Sequence, residues 1–270
     1  MNRDDIIARA EEFVGGAPGN YISEEAALSP GCAGMRIYDA PIFAFGSADD
    51  GIFMKFKNPD VVGRHFMGPV EWLSGAKTVI SFFLPFSSAV KAANALDCRW
   101  PADEWLHGRY EGQQLLSQLL KYLEKILSEA GFKSLAPSAD RRFRTGGAEE
   151  NVRFTSNWSE RHVAYACGLG TFGLSRGIIT GKGMCGRLGS VLTELDLPKD
   201  LRNYDGVYDY CAMCGACIGR CPSRAISIEG AMEHSLCSDF LDRTRAKHSP
   251  RYGCGKCQVN VPCESGIPAR

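Results

Sequence analysis

The sequence lacks the long apolar runs that a membrane protein needs. Its best apolar stretch, TVISFFLPF at residues 78–86, is far shorter than the roughly 20 residues of a membrane-spanning helix. The opening residues, MNRDDIIARAEEFV, carry acidic residues among the apolar ones, which predicts an amphipathic helix rather than a secretory signal. We therefore expect a cytoplasmic protein with no membrane partner.

The chain also lacks an excess of charge of either sign. Its 31 Lys and Arg residues balance 31 Asp and Glu residues. A balanced chain produces no overall field that would attract nucleic acid or an anionic membrane. The apolar fraction of 44% is ordinary for a globular protein, and 270 residues are enough for one large domain and a small one.

Cysteine, in contrast, is abundant, with twelve residues. In a reducing compartment this number favours metal binding over disulfides. Eight of the twelve follow residue 210. The other four have no metal-binding spacing and are predicted to be small buried apolar side chains: Cys32, Cys98, Cys167 and Cys185.

Upstream of the cysteine-rich tail, the hydrophobic pattern predicts mixed helix and strand. Residues 79–84, VISFFL, predict a central strand, and residues 188–197, LGSVLTELDL, predict another. Leucines spaced three and four apart from Leu115 to Leu127 predict a core-facing helix that ends at Gly131.

A change in composition near Pro198 separates two predicted domains. Residues 1–200 form the larger domain, which would hold a cofactor or substrate, and residues 201–270 form the cysteine-rich domain. The predicted fold class is α+β, with an N-terminal α/β domain followed by a small ferredoxin-like one.

The tail begins with a C-x2-C-x2-C-x3-C-P motif, formed by Cys211, Cys214, Cys217, Cys221 and Pro222. Closely spaced thiolates on a turning loop can bind three corners of an iron–sulfur cube, and the cysteine before proline serves the other cluster of a two-cluster ferredoxin. Zinc or a redox dithiol are the alternatives, but zinc sites usually pair C-x2-C units across a longer gap. The spacing favours iron–sulfur.

A second group of cysteines is needed to complete two clusters. In the ferredoxin arrangement the second cluster takes Cys221 together with three later cysteines, and the last cysteine completes the first cluster. Two [4Fe–4S] clusters would pass electrons one at a time. One departure is that Pro262 precedes the last cysteine instead of following it. The first predicted set is Cys211, Cys214, Cys217 and Cys263, and the second is Cys221, Cys237, Cys254 and Cys257.

Four segments together resemble a known family. SERHVAYACGLGTFG, GRLGSVLTELDL, the first cysteine motif and YGCGKCQ look like epoxyqueuosine reductase and its relatives, which include corrinoid-dependent reductive dehalogenases. The resemblance covers roughly residues 65–265 and is strong after residue 156. It implies a nitroreductase-like N-terminal domain of the cobalamin-reductase type beside a double-cluster domain. It also implies a low-potential electron donor of the ferredoxin or flavodoxin type.

The glycine-dense segment is a candidate cofactor contact. Gly168, Gly170 and Gly173 would allow close backbone approach to a flat group such as a tetrapyrrole-like ring or a cluster, although a tight strand-to-helix turn has the same pattern. A second candidate is a basic group that either contacts the anionic tail of a cofactor or forms a solvated loop: Arg141, Arg142, Arg144 and Arg153.

The resemblance also points to a proton donor. In the reductases an Asp-Tyr-His motif lies at the start of a long helix, and an ungapped match places Glu111, Gly112 and Gln113 there. Glu111 is then a candidate donor, and Tyr110 is a second. The alternative is that Glu111 is an acidic residue in the first turn of a helix, where the helix dipole favours it.

Three functions remain open on this sequence. The first is a reductase that acts on a small molecule, with cobalamin as a second cofactor. The second is epoxyqueuosine reduction in tRNA, and the third is an electron carrier that reduces the corrinoid of a partner protein. We do not expect tRNA as a partner, because RNA binding depends on cationic surface and the chain has none in excess. A cavity beside a cluster would favour a reductase over a carrier.

Overall fold

A four-stranded antiparallel sheet forms the centre of the larger part of the molecule. A computed structural model describes residues 1–146, 154–229 and 232–269. The strands within them are β1 Ile42–Ser47, β2 Thr78–Pro85, β3 Ser134–Leu135, β4 Gly170–Phe172, β5 Ile178–Thr180 and β6 Gly186–Thr193. The sheet order is β1-β2-β6-β3, and β4 pairs with β5.

The two predicted strands are confirmed as the central pair, β2 and β6. All eight residues of β2 are buried, because helices cover both faces of the sheet. Ile80 and Phe82 point into the core on one face, whereas Val79 and Phe83 point into the core on the other. The sheet is antiparallel throughout, so the mixed architecture is confirmed but the larger part is not a parallel α/β domain. Apolar runs of this kind do not specify the direction of pairing.

Helices form a layer on each side of the sheet. α1 Arg3–Gly16, α4 Ser88–Leu96 and α5 Asp103–Glu129 contribute to the first core. The short helices α2 Ile52–Lys55 and α3 Pro69–Trp72 lie with α6 Glu160–Cys167 in the second.

The predicted leucine-rich helix is confirmed as α5, but it begins earlier than the leucines indicate. Pro101 precedes it, and the acidic residues of its first turn are Asp103 and Glu104. Glu111 therefore lies two turns inside the helix, so the prediction that it lies in a first turn is wrong.

The cysteine-rich tail contains α7 Ala216–Arg220, α8 His234–His248 and a short 3-10 turn at Lys256–Gln258. A small apolar cluster joins Cys217, Ile226 and Val261 of the tail to Leu174 of the preceding part of the chain. Gly183 and Gly255 mark two places where the tail packs so closely on the rest of the chain that a side chain would collide. The boundary between residues 1–200 and 201–270 stays a prediction.

None of the helices in the described ranges is long and apolar enough to cross a bilayer.

Candidate functional site

The first three cysteines of the motif lie on a loop that turns sharply. Met213 and Gly215 have left-handed backbones, with φ of 51° and 73°. Left-handed residues in such a turn can point successive backbone N–H groups to one side, and this arrangement can bind an anion such as a cluster. Gly215 is the N-cap of α7, whose residues include Cys217.

Cys263 joins these three cysteines through contacts that lie outside the motif. The backbone N–H of Met184 donates to the carbonyl oxygen of Cys263 at 3.0 Å. Gly183 permits this contact, because a Cβ there would lie 2.3 Å from the carbonyl oxygen of Glu264. Burial and the neighbouring thiols of the motif raise the pKa of Cys263 to about 12. A narrow recess of about 20 Å³ is lined by all four: Cys211, Cys214, Cys217 and Cys263.

The second group of four cysteines surrounds a larger cavity of about 280 Å³. Its members come from three places in the tail: the end of the first motif, α8, and the loop that contains the 3-10 turn. The backbone N–H of Ala225 donates to Sγ of Cys221 at 3.3 Å. The cysteines that line this cavity are Cys221, Cys237, Cys254 and Cys257.

The donor chemistry of both groups fits a [4Fe–4S] cluster. Burial raises the pKa of Cys254 to about 11 and also raises the pKa of Cys257 well above its ordinary value, so these thiols need a bound cation to ionise. Four sulfurs line each recess, and four cysteine ligands are what each such cluster takes. Within the described ranges, no three His, Cys, Asp or Glu side chains meet closely enough to hold a single metal ion.

A fully buried lysine lies between two cysteines of the second group. Lys256 is 0% exposed, and Nζ donates to the backbone oxygen and to Oδ1 of Asn94 at 2.7 and 3.0 Å. Burial lowers the pKa of Lys256, whereas the sulfur of Cys254 opposes this effect. Asn94 also donates to the carbonyl oxygen of Cys254 at 3.0 Å. Sequence reasoning missed this residue, since lysine is almost never fully buried without a partner.

A second cavity, of about 400 Å³, adjoins the first. Arg161, Arg176 and His234 line both of them. Burial, with the positive charges of Arg161 and Arg176 next, lowers the pKa of His162 to about 4, and the same causes lower the pKa of His234. The junction of the two cavities is therefore electropositive.

Two of the three predicted glycines have structural roles in the fold, and the third lines a recess. Gly168 ends α6 with φ of 93°. A Cβ at Gly170 would lie 2.1 Å from the carbonyl oxygen of Ile179, across the β4–β5 pair. Gly173 lines the recess of the first cysteine group. Contact between these glycines and a flat cofactor stays a prediction.

The predicted proton donors do not line either cavity. Glu111 accepts a hydrogen bond from Nδ1 of His107 at 3.1 Å and forms an ion pair with Arg251 of the tail. Burial disfavours ionisation of Glu111, but the hydrogen bonds from His107 and Arg251 outweigh it and lower its pKa. The ring of Tyr110 lies 5.5 Å from the guanidinium of Arg251. These contacts favour a structural role over proton donation.

Glu111→Gln is expected to destabilise the protein by about 1–3 kcal/mol, because it leaves Arg251 without its carboxylate. The folded pKa lies below the unfolded value near 4.5, so the stabilisation is complete above that pH and is lost as the pH falls through the folded pKa. Denaturant unfolding at pH 7 and near pH 3 measures both effects, with Glu104→Gln as the control. A loss of turnover of about 10²-fold with unchanged stability would instead support proton donation.

Two neighbouring residues on α5 have other roles. A Cβ at Gly112 would lie 2.6 Å from the hydroxyl oxygen of Tyr38, so this position must be glycine. Oε1 of Gln113 accepts a hydrogen bond from Arg187, which lines the larger cysteine cavity.

Of the four isolated cysteines, three are buried as predicted, but Cys98 is exposed, so the prediction for it is wrong. It lies in the bend between α4 and α5, where no core covers it. In the predicted basic group, Arg142 pairs with Asp140. Arg153 lies outside the described residues.

Comparisons with known proteins agree with the motifs. No protein-family profile matches the chain. It is 29% identical over 227 residues to the epoxyqueuosine reductase of Vibrio cholerae, a match that covers 77% of this chain and 56% of that protein. The chain therefore spans about half the length of this relative.

Two solved structures share the fold. An epoxyqueuosine reductase in complex with an epoxyqueuosine-modified tRNA-Tyr stem loop superposes with a TM-score of 0.57 at 18% identity, covering 99% of this chain and 66% of that one. A catabolic reductive dehalogenase in complex with 3-bromo-4-hydroxybenzoic acid gives a TM-score of 0.53 at 12% identity, covering 98% and 37%.

The resemblance is thus confirmed: this is a protein of the fold shared by two kinds of reductase. More particularly, its sequence is similar to that of an epoxyqueuosine reductase over 227 residues. The expectation against tRNA finds no support, because one solved relative holds a tRNA stem loop. A balanced total charge does not exclude a local basic site, and Arg161 and Arg176 form one.

Proposed function

We propose that the protein is an iron–sulfur reductase whose two [4Fe–4S] clusters deliver electrons to the cavity beside the second cysteine group. The observation that carries the proposal is the partition of the eight tail cysteines into two recesses of four. The larger recess also contains Trp105 and Phe86 from the sheet-containing part of the chain. A cavity at this position favours a reductase over a carrier, which needs only an exposed cluster.

The protein's own residues would hold and shield the clusters. When bound, the two clusters supply electrons one at a time. The cysteines bind the irons, and backbone N–H groups such as that of Ala225 donate to the sulfur atoms. Trp105 and Phe86 pack edge to face at 5.0 Å between ring centroids and exclude water from one wall of the cavity of the second cysteine group.

The proposed substrate is an epoxyqueuosine-type nucleoside in tRNA, on the strength of the named relatives. Reduction of a small organic molecule is the second candidate, and the fold shared with a dehalogenase favours it. Cobalamin remains an implication of the sequence resemblance. No feature of the described cavities is specific for a corrinoid, and the proposed path of electrons ends at the cavity.

Anaerobically purified protein is expected to contain about eight irons and eight sulfides per chain, two cubes of four. Iron and sulfide assays measure this, and EPR after reduction should show two interacting centres. Turnover is then tested with epoxyqueuosine-containing tRNA and a low-potential electron donor, with fully modified tRNA as the control. An iron content near four per chain would contradict the assignment of a cluster to the second cysteine group. A full iron content without reduction of any tRNA would support the two clusters but contradict tRNA as the substrate.

Lys256→Met is expected to lower the reduction potential of the second cluster. The buried ammonium favours the more negative, reduced state of a neighbouring cluster, so its removal should lower the ratio of reduced to oxidised cluster about tenfold, or about 59 mV for one electron. An EPR-monitored redox titration measures this shift. The first cluster serves as the internal reference, and exposed Lys182→Met is the control. Equal potentials in variant and wild type would show that Lys256 only positions Asn94.

A further inference from the structure

Within the part of the chain that the structure describes, Arg161 and Arg176 carry positive charge that no acidic side chain balances. Nη1 of Arg161 donates to the backbone oxygen of Arg176 at 2.9 Å, and Nη1 of Arg176 donates to the hydroxyl of Tyr208 at 2.9 Å. Among the described residues, no carboxylate forms an ion pair with either arginine. Two partly buried guanidinium groups without a counterion favour an anionic ligand.

The backbone of Arg176 adds a second, independent observation. Its φ of 61° is left-handed, a conformation that favours glycine and is costly for arginine. The turn that imposes it is closed by hydrogen bonds from Arg176 N to the Gly173 oxygen at 2.8 Å and from Gly173 N to the Gly177 oxygen at 2.9 Å. A strained position that keeps a long charged side chain at the junction of two cavities is typical of a binding residue.

The second cavity has the size and the walls for the rest of such a ligand. At about 400 Å³ it lies within the range of small-molecule sites. Val61, Val62 and Val207 give it an apolar lining, and Phe172 adds an aromatic one on which a base can stack. Ser156, Ser159 and Thr155 line the same cavity and supply polar groups.

We propose that the junction binds the phosphate group of a nucleotide through Arg161 and Arg176, with the nucleoside in the second cavity. The choice of a nucleotide rests on the proposed function, whereas the anion site rests on the two arginines alone. A planar guanidinium binds phosphate oxygens through two parallel hydrogen bonds, which fixes the orientation of the nucleotide. A ligand held there lies beside the cavity of the second cysteine group, where electrons would arrive.

Isothermal titration calorimetry on the full-length, anaerobically purified protein tests the site. The probes are AMP, adenosine, inorganic phosphate, benzoate and an unmodified RNA stem loop. The variants are Arg161→Met and Arg176→Gly, and the second also removes the left-handed strain, so it should fold at least as well as wild type. Arg9→Met, on the exposed face of α1, is the control. Iron content and thermal unfolding are measured on each sample.

AMP is expected to bind the wild type and to bind each variant at least tenfold more weakly, with the control unchanged. Phosphate should compete with AMP, and adenosine should not bind measurably.

Displacement of AMP by the stem loop would assign the site to a phosphate of RNA, and failure to displace it would assign the site to a free nucleotide. Equal AMP affinity in wild type and both variants, or no AMP binding, overturns the proposal. If benzoate is the only probe that binds, and if its binding depends on the two arginines, the proposal of a nucleotide is wrong and the ligand is an aromatic carboxylate. Because iron is assayed separately, loss of the clusters and loss of the anion site are distinguishable.

Discussion

Cys221→Ala is expected to remove about half of the iron, from about eight to about four per chain, and to lower turnover by at least about 10²-fold. Cys221 lines the cavity of the second cysteine group, and its sulfur accepts a hydrogen bond from the N–H of Ala225 at 3.3 Å. The first recess contains its four cysteines without Cys221, so the EPR signal of the first cluster should persist.

Cys263→Ala provides the reciprocal experiment. It should remove the other half of the iron and leave the second cluster, since Cys263 lines only the first recess. Exposed Cys98→Ala is the control and should keep all of the iron. If both Cys221→Ala and Cys263→Ala abolish the same EPR signal, the partition into two groups is wrong.

The electron path depends on this partition. In the proposed reductase, electrons from a donor would enter at the first group, where Cys214 is exposed, and would leave at the second, which lines the cavity. Loss of the second cluster then separates the substrate from the donor without affecting reduction of the first. This is why turnover should fall much more than iron content.

The sequence could predict the parts of this site that are local. Three cysteines of each group lie in short motifs, and the spacing of those motifs determines which sulfurs can meet. A buried apolar run such as β2 can likewise be predicted as a strand from its own residues. Cys263 is different, because its position depends on backbone contacts with Met184, which is 79 residues away. The departure of Pro262 from the usual order is compatible with this, since the last cysteine is placed by backbone hydrogen bonds to a distant segment.

Other parts of the site could not be predicted, because they depend on how distant segments pack. Lys256 is buried only because Asn94 of α4 meets the tail there. Arg161 and Arg176 become one site because α6 and the β4–β5 turn end side by side. Glu111 was predicted from an aligned motif, but its contact with Arg251 crosses 140 residues. In each case the sequence shows the residue type but not the distant residue that it contacts.

Gly255→Ala is expected to lower the free energy of unfolding more than any other glycine-to-alanine substitution in the tail. Gly255 has φ of 64°, and a Cβ there would lie 1.8 Å from Cζ2 of Trp105. Trp105 is only 4% exposed and packs on Phe86, so it has little room to move. The loop would have to lift off α5 and carry Cys254 and Cys257 with it.

We therefore expect Gly255→Ala to lower the free energy of unfolding by about 3 kcal/mol or more and to lose the iron of the second cluster. Gly131→Ala separates the two causes, because it has a left-handed φ of 88° but no atom within 4 Å of the added Cβ, so it should cost only about 1–2 kcal/mol. Gly219→Ala in α7 meets neither obstacle and should be neutral or stabilising by up to about 1 kcal/mol. Denaturant unfolding and iron assays on the three variants measure the difference. If Gly255→Ala keeps all of its iron and is no less stable than Gly131→Ala, the close packing of this loop on Trp105 is not what holds the second cysteine group in place.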